Sequence, residues 1–122
     1  MQVVVVEPKK KPMVQDIGSD LASMQKIVGG SIEAVYPFAD PVALICNEEG
    51  KLLGLPLNRA LRDDEGNVYD IISGTFFLCA APPDSNHFAG LTDQQVKTYM
   101  ERFSVREMFL NVGGEMFVLP YL

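Results

Sequence analysis

The chain has 122 residues, of which 48% are hydrophobic, and its 16 acidic and 10 basic residues give a net charge of −6. This length suits one domain with its own core, so we expect residues 1–122 to form a single domain. The acidic balance disfavours direct binding to nucleic acid, which depends on clustered Lys and Arg. No apolar run reaches the roughly 18–20 residues of a membrane helix, and the N-terminus lacks the basic region of a secretory signal. We therefore expect a cytoplasmic protein that does not bind membranes.

Two strands and a helix are predicted at the start of the chain. The continuous valines within residues 2–7 favour a strand that is buried on both faces and central in a sheet. Residues 13–17 are expected to pair back as a second short strand. Ser19 or Asp20 can cap the helix that follows, and the glycine pair at 29–30 ends it. The apolar stripe of this helix consists of Leu21, Met24, Ile27 and Val28.

The next part of the chain is predicted to contain a hairpin and a loop. Residues 31–38 and 42–46 have strand patterns, and the polar segment 47–50 indicates a tight turn into a further strand at 51–53. Residues 54–61 are predicted to be a loop or a single helical turn, because the proline within them cannot donate to a strand ladder.

Strand signals return after a polar turn at 63–67. Residues 68–72 and 74–80 are β-rich, with a kink or bulge at the Ser73-Gly74 junction, and 82–90 is predicted to be a loop.

A second helix and a terminal hairpin complete the predicted elements. Thr92 and Gln95 have the spacing of a capping box. The apolar face of this helix consists of Val96, Tyr99, Met100 and Phe103. The glycines at 113–114 favour a hairpin in the tail, and a short helix before the turn is the alternative. The element order indicates an α+β fold, with an antiparallel or mixed β-sheet and two helices packed on it.

Motifs for catalysis, metals and cofactors are not found. His87 is the only histidine and lies in a loop segment, where sequence neighbours cannot supply the fixed geometry of a triad. Cys46 and Cys79 stand in apolar strand contexts, which favours buried free thiols over a disulfide. Neither metal-ligand spacings nor glycine-rich nucleotide motifs occur. We expect a non-enzymatic protein without a metal or cofactor.

Polar residues that interrupt the central apolar runs give the candidate ligand site. They are Asn58, Arg59, Asp70 and Thr75. The planar donors of Arg59 suit phosphate or carboxylate, and Asn58 can both donate and accept. The alternative is structural, with Arg59 paired to Asp70 so that the loop is fixed to the sheet.

Several segments resemble the domain of unknown function 3846 family. They are E-P at 7–8, L-x-x-M-Q-K-I-V-G-G-x-I-E at 21–33, C-N-E-E-G-K-L-L-G-L-P-L-N-R at 46–59, D-I-I-x-G-T-F-F at 70–77 and L-T-D-Q-Q-V-x-x-Y-x-x-R-F at 91–103. The resemblance covers residues 1–103, so 104–122 is a C-terminal hairpin or extension. It implies a small cytosolic α+β protein of Firmicutes, their phages and mobile elements, with no established activity. Accessory proteins of that kind often counter host defences by binding a signalling nucleotide or a defence protein.

Two functions follow as hypotheses. In the first, the protein binds a small anionic ligand such as a nucleotide. Arg59 meets the phosphate, Asn58 or Thr75 meets the base or sugar, and Lys51 or Arg62 supplies a second cation. Tyr36 or Phe76 stacks on the base. In the second, the protein is an interaction module that contacts a host protein or a second copy of itself through an apolar or acidic surface. The tail residues that suggest such a surface are Met108, Phe109, Met116, Phe117 and Tyr121.

Overall fold

A computed structural model describes all 122 residues of the chain. Its nine strands and two helices are, in chain order, β1 (Gln2–Val6), β2 (Met13–Asp16), α1 (Leu21–Val28), β3 (Ile32–Val35), β4 (Val42–Asn47), β5 (Leu57–Arg62), β6 (Val68–Ser73), β7 (Phe76–Ala80), α2 (Asp93–Arg102), β8 (Glu107–Val112) and β9 (Glu115–Pro120). Every strand pair is antiparallel. The predicted α+β class is confirmed, and of the two predicted sheet types the antiparallel one is present.

The main sheet has five strands in the order β2-β1-β7-β4-β3. Strand β1 lies between β2 and β7, so the prediction of a central first strand is confirmed. The three inner strands are buried on both faces, which explains why their sequences are continuous apolar runs. Strands β5 and β6 form a separate hairpin, and β8 and β9 form another.

The two helices cover opposite faces of the main sheet. Met24 and Val28 of α1 pack on one face. Tyr99 of α2 packs on the other face together with the β5–β6 hairpin, and so does Phe103, the first residue after α2. The rings of Phe76 and Phe103 are 5.3 Å apart in an edge-on contact. Because alternate residues of the inner strands point to opposite faces, the molecule has two hydrophobic clusters, one on each side of the sheet. The packing of both predicted helices on the sheet is therefore confirmed.

The predicted hairpin that ends in a strand at 51–53 is wrong. Both edges of β4 are already paired, one with β3 and the other with β7. No edge is left for a further strand, and residues 50–54 form consecutive turns. Leu52 is accordingly 84% exposed.

The predicted loop at 54–61 is also wrong, because β5 occupies Leu57–Arg62. Pro56 lies just before the strand, so its missing N–H removes no strand hydrogen bond. Its carbonyl instead accepts the N–H of Gly74 at 2.7 Å. Gly74 has a φ of 84°, a conformation that favours glycine, and the chain passes there from the β5–β6 hairpin into β7 of the main sheet.

The predicted helix caps are confirmed. The Asp20 carboxylate accepts the N–H of Ser23 at 3.1 Å and caps α1. The Ser23 hydroxyl, which donates to the same carboxylate at 2.7 Å, and this N–H together lower the pKa of Asp20. Gly29 adopts the left-handed conformation that ends the helix. Thr92 and Gln95 form the capping box at the start of α2.

The tail is the predicted hairpin, β8–β9, and the alternative of a short helix is wrong.

Both cysteines are buried free thiols, as predicted. Cys46 belongs to the hydrophobic cluster under α2 and Cys79 to the cluster under α1, so they lie on opposite faces of the sheet. Burial raises the pKa of Cys46 to about 11 and that of Cys79 to about 12. Neither thiol is therefore activated as a nucleophile.

No helix is both long enough and apolar enough to cross a membrane.

Candidate functional site

Arg59 is buried in β5, with only 1% of its surface exposed. Its Nη2 donates to the carbonyl oxygens of Lys10 at 2.7 Å and Phe103 at 3.1 Å. Its Nη1 donates to the side-chain oxygen of Asn58 at 3.0 Å. Arg59 therefore connects the β1–β2 turn, β5 and the end of α2 through backbone carbonyls. The alternative in which it pairs with Asp70 is wrong.

Asn58 is wholly buried beside Arg59. Its side-chain nitrogen donates to the carbonyl of Val6 at 2.8 Å and to that of Gly74 at 2.9 Å. These bonds join the end of β1 to the connection between β6 and β7. All the polar atoms of this side chain are thus used inside the protein.

Asp70 and Thr75 lie apart from this pair and from each other. Asp70 accepts a hydrogen bond from Lys51 at 2.5 Å on the surface of β6. Thr75 lines a groove on the α1 side of the main sheet, together with Ser23 and Lys26. The structure therefore brings Asn58 and Arg59 together and leaves Asp70 and Thr75 outside their neighbourhood.

A different concavity, of about 450 Å³, lies between the β5–β6 hairpin, the end of α2 and the β8–β9 hairpin. We name it the arginine cleft. Its walls include Arg59, Arg62, Tyr69, Arg102, Glu107 and Val118. Of the four candidate ligand residues predicted from the sequence, Arg59 alone contributes to it, as a buried group, and Arg62, predicted as a second cation, lines it too.

The cleft concentrates positive charge in an acidic protein. The chain has four arginines, at 59, 62, 102 and 106. Three of them line the cleft, with Glu107 as the one carboxylate, which gives the lining a net charge of 3 − 1 = +2. The fourth, Arg106, directly precedes Glu107.

The same charges affect the pKa of Arg59. Burial has the largest effect and lowers this pKa; the Glu107 carboxylate raises it, and the charge of Arg106 lowers it. An additional anion in the cleft would act in the same direction as Glu107 and stabilise the charged guanidinium.

Arg62 and Arg102 present their guanidinium groups to solvent in different ways. Arg62 is partly exposed and donates to the Glu107 carboxylate at 2.6 Å. Arg102 is exposed at the end of α2, makes no hydrogen bond or ion pair within the chain, and stacks on the Phe38 ring at 4.7 Å. Its donors are free for a ligand. Tyr69 adds an aromatic ring that is 57% exposed.

Sequence reasoning did not identify Arg102 or Tyr69. The available signal was the placement of all the arginines in two close pairs, 59/62 and 102/106, in a chain with net negative charge. The aromatic rings predicted to stack are elsewhere: Phe76 is in the core, and Tyr36 lines another groove beside the 82–88 loop. No group of three or more His, Cys, Asp or Glu side chains could hold a metal ion.

Comparison with known proteins gives a family and no activity. The model of the family described as "Domain of unknown function (DUF3846)" matches residues 1–104, which include three of the four arginines and exclude β8 and β9. No curated protein and no solved structure shows a significant match to the chain. Because the matched segment spans most of the chain, the resemblance read from its motifs is confirmed, and the protein belongs to the DUF3846 family.

Proposed function

We propose that this protein is a non-catalytic accessory protein that binds a small anionic ligand, of the signalling-nucleotide class, in the arginine cleft. The observation that carries the proposal is that three of the four arginines of an acidic chain line one concave site. Arginines that only adjusted the surface charge would be spread over the protein and would not line one concavity. We place its role in a phage or mobile element, where capture of a signalling nucleotide would counter a host defence.

The residues of the cleft would contact different parts of a nucleotide. Arg62 and Arg102 supply planar forks of N–H donors that match phosphate oxygens. The exposed ring of Tyr69 is available to stack on a base. Arg59 contributes only its positive charge, because its N–H donors already bond to Asn58 and to the carbonyls of Lys10 and Phe103. A volume of about 450 Å³ falls in the ordinary range for sites of small ligands.

We expect a panel of cyclic and linear nucleotides to include a ligand that raises the melting temperature of the protein. Arg102→Gln should weaken its affinity at least about tenfold, because each charge-assisted hydrogen bond contributes roughly 1.5–3 kcal/mol. Isothermal titration measures the change. Lys97→Gln is the matched control: Lys97 is also an exposed cation on α2, but it lies outside the cleft. The proposal fails if no nucleotide shifts the melting temperature, or if the two variants bind equally well.

A protein-interaction module is the second candidate function. The outward face of the β8–β9 hairpin, set by its register, carries apolar side chains that are 40–60% exposed. These are Leu110, Val112, Phe117 and Leu119. An exposed apolar face of this kind is common where proteins associate, and the partner would be a host protein or a second copy.

Deletion of residues 105–122 distinguishes this role from a place in the core. Both hydrophobic clusters are complete without the tail, since none of their buried residues lies beyond Phe103. We therefore expect the shortened chain to stay soluble and to unfold cooperatively. If the hairpin mediates self-association, size-exclusion chromatography with light scattering will show a larger mass for the full chain only. An insoluble or unfolded product would contradict the expectation.

A further inference from the structure

Glu107 is the one carboxylate of the arginine cleft, and it is 7% exposed. One of its oxygens accepts the backbone N–H of Ala60 at 2.9 Å, and the other accepts Nη2 of Arg62 at 2.6 Å. A backbone N–H and a guanidinium that converge on one carboxylate form a small site for an oxyanion. The chain's own carboxylate occupies that site.

Glu107 also anchors the C-terminal hairpin. It accepts both hydrogen bonds that connect residues 105–122 to the rest of the chain. The bond from Tyr121 N–H to the Arg106 carbonyl stays within the tail. The remaining polar attachment is the stacking of Lys9 on the Tyr121 ring at 5.9 Å.

The apolar side chains of the hairpin are at most half-buried, including Met108 and Phe109 of β8. Most side chains of β9 are exposed, and none of its residues is fully buried. Val118 and Pro120 nevertheless line the cleft, so the hairpin forms one of its walls. The hydrogen bonds that attach this wall to the rest of the chain therefore both end on a carboxylate that occupies an anion site.

We propose that the phosphate of the ligand displaces the Glu107 carboxylate from Arg62 and the Ala60 N–H, and that this displacement releases the β8–β9 hairpin from the domain. The inference rests on the proposed anion-binding function and adds a regulation of the same site. A phosphate can use both donors that now hold Glu107, and it gains Arg102 as well. Once it is bound, its negative charge repels the carboxylate, which has lost its cation. Ligand occupancy is thereby coupled to the position of the hairpin.

Two measurements on the full chain test the coupling, with inorganic pyrophosphate as the probe. In wild type, saturating pyrophosphate should accelerate amide hydrogen exchange in peptides covering 107–120. In titrations, Glu107→Gln should bind pyrophosphate about tenfold more tightly than wild type, because the amide loses the charge that competes for Arg62. Glu115→Gln is the matched control: it removes the same charge from the same hairpin, at an exposed position away from the cleft, and should leave the affinity unchanged.

The outcomes separate this inference from the proposed function. Faster exchange in wild type together with tighter binding by Glu107→Gln alone supports displacement. If pyrophosphate binds and Arg102→Gln weakens it, but hairpin exchange is unchanged, displacement is overturned and the anion site stands. Equal affinities of wild type and Glu107→Gln also overturn displacement. If neither pyrophosphate nor any nucleotide binds wild type or Glu107→Gln, the proposed function and this inference both fail.

Discussion

Arg59→Met is expected to lower the free energy of unfolding by about 3–5 kcal/mol. Methionine fills much of the same volume but donates no hydrogen bond. The carbonyls of Lys10 and Phe103 would then lose the donors that Arg59 now places at 2.7 and 3.1 Å. The Phe103 carbonyl is buried, and such an acceptor left without a partner costs roughly 1–3 kcal/mol; the Lys10 carbonyl is partly buried and adds less. The links between β5, the β1–β2 turn and α2 are lost as well. Urea unfolding followed by circular dichroism measures the difference.

Arg102→Met is the matched control for that substitution. It removes the same charge from an exposed side chain whose one described interaction is the stack on Phe38, so we expect a loss of at most about 1 kcal/mol. Arg59→Lys should recover only part of the loss, because a single ammonium cannot reproduce the fork of donors. A cost below about 1 kcal/mol for Arg59→Met would contradict the structural role. Such a small cost would also mean that the donors of Arg59 are available to a ligand.

The parts of the fold that could be predicted are those fixed by local chemistry. A capping box needs only Thr92 and Gln95, three residues apart. The continuous valines of β1 predict burial on both faces, because such a run is typical of a strand that is covered on both sides. The terminal hairpin follows from two apolar runs separated by glycines that both adopt positive φ.

The errors concern residues whose partners are distant in sequence. Residues 51–53 have a strand-like pattern, but only the prior pairing of β4 with both β3 and β7 shows that no edge remains for them. The partners of Arg59 are backbone carbonyls 44 and 49 positions away. Every residue has a carbonyl, so no residue type marks these acceptors in the sequence. A carboxylate is recognisable by residue type, which favours Asp70 as the predicted partner of Arg59.

The candidate site was predicted only in part, through Arg59 and Arg62, for a related reason. The arginines are conspicuous by their number and charge, but the cleft exists only because the end of α2 and the tail hairpin pack beside β5. The sequence could indicate that an anion site needs cations. It could not show that Arg59 is engaged in the core while Arg102 remains free.

Asn58→Leu is expected to cost about 2–4 kcal/mol of unfolding free energy. Leucine has the same branched arrangement of side-chain heavy atoms as asparagine but donates nothing to the carbonyls of Val6 and Gly74, which Asn58 now contacts at 2.8 and 2.9 Å. Both carbonyls are buried at the junction between the main sheet and the β5–β6 hairpin. We therefore expect the loss to appear as a lower urea midpoint with an unchanged slope.

A double-mutant cycle shows whether Asn58 and Arg59 act as one unit. Arg59 donates to the Asn58 side-chain oxygen at 3.0 Å, so Asn58→Leu leaves part of the guanidinium unpartnered as well. Removing both groups removes that unpaired donor, and the combined variant should cost about 1 kcal/mol less than the sum of the single variants. Asn86→Leu, on the exposed 82–90 loop, is the control and should change stability by no more than about 0.5 kcal/mol. Strict additivity would mean that the two side chains stabilise the junction independently, and that the bond between them contributes nothing.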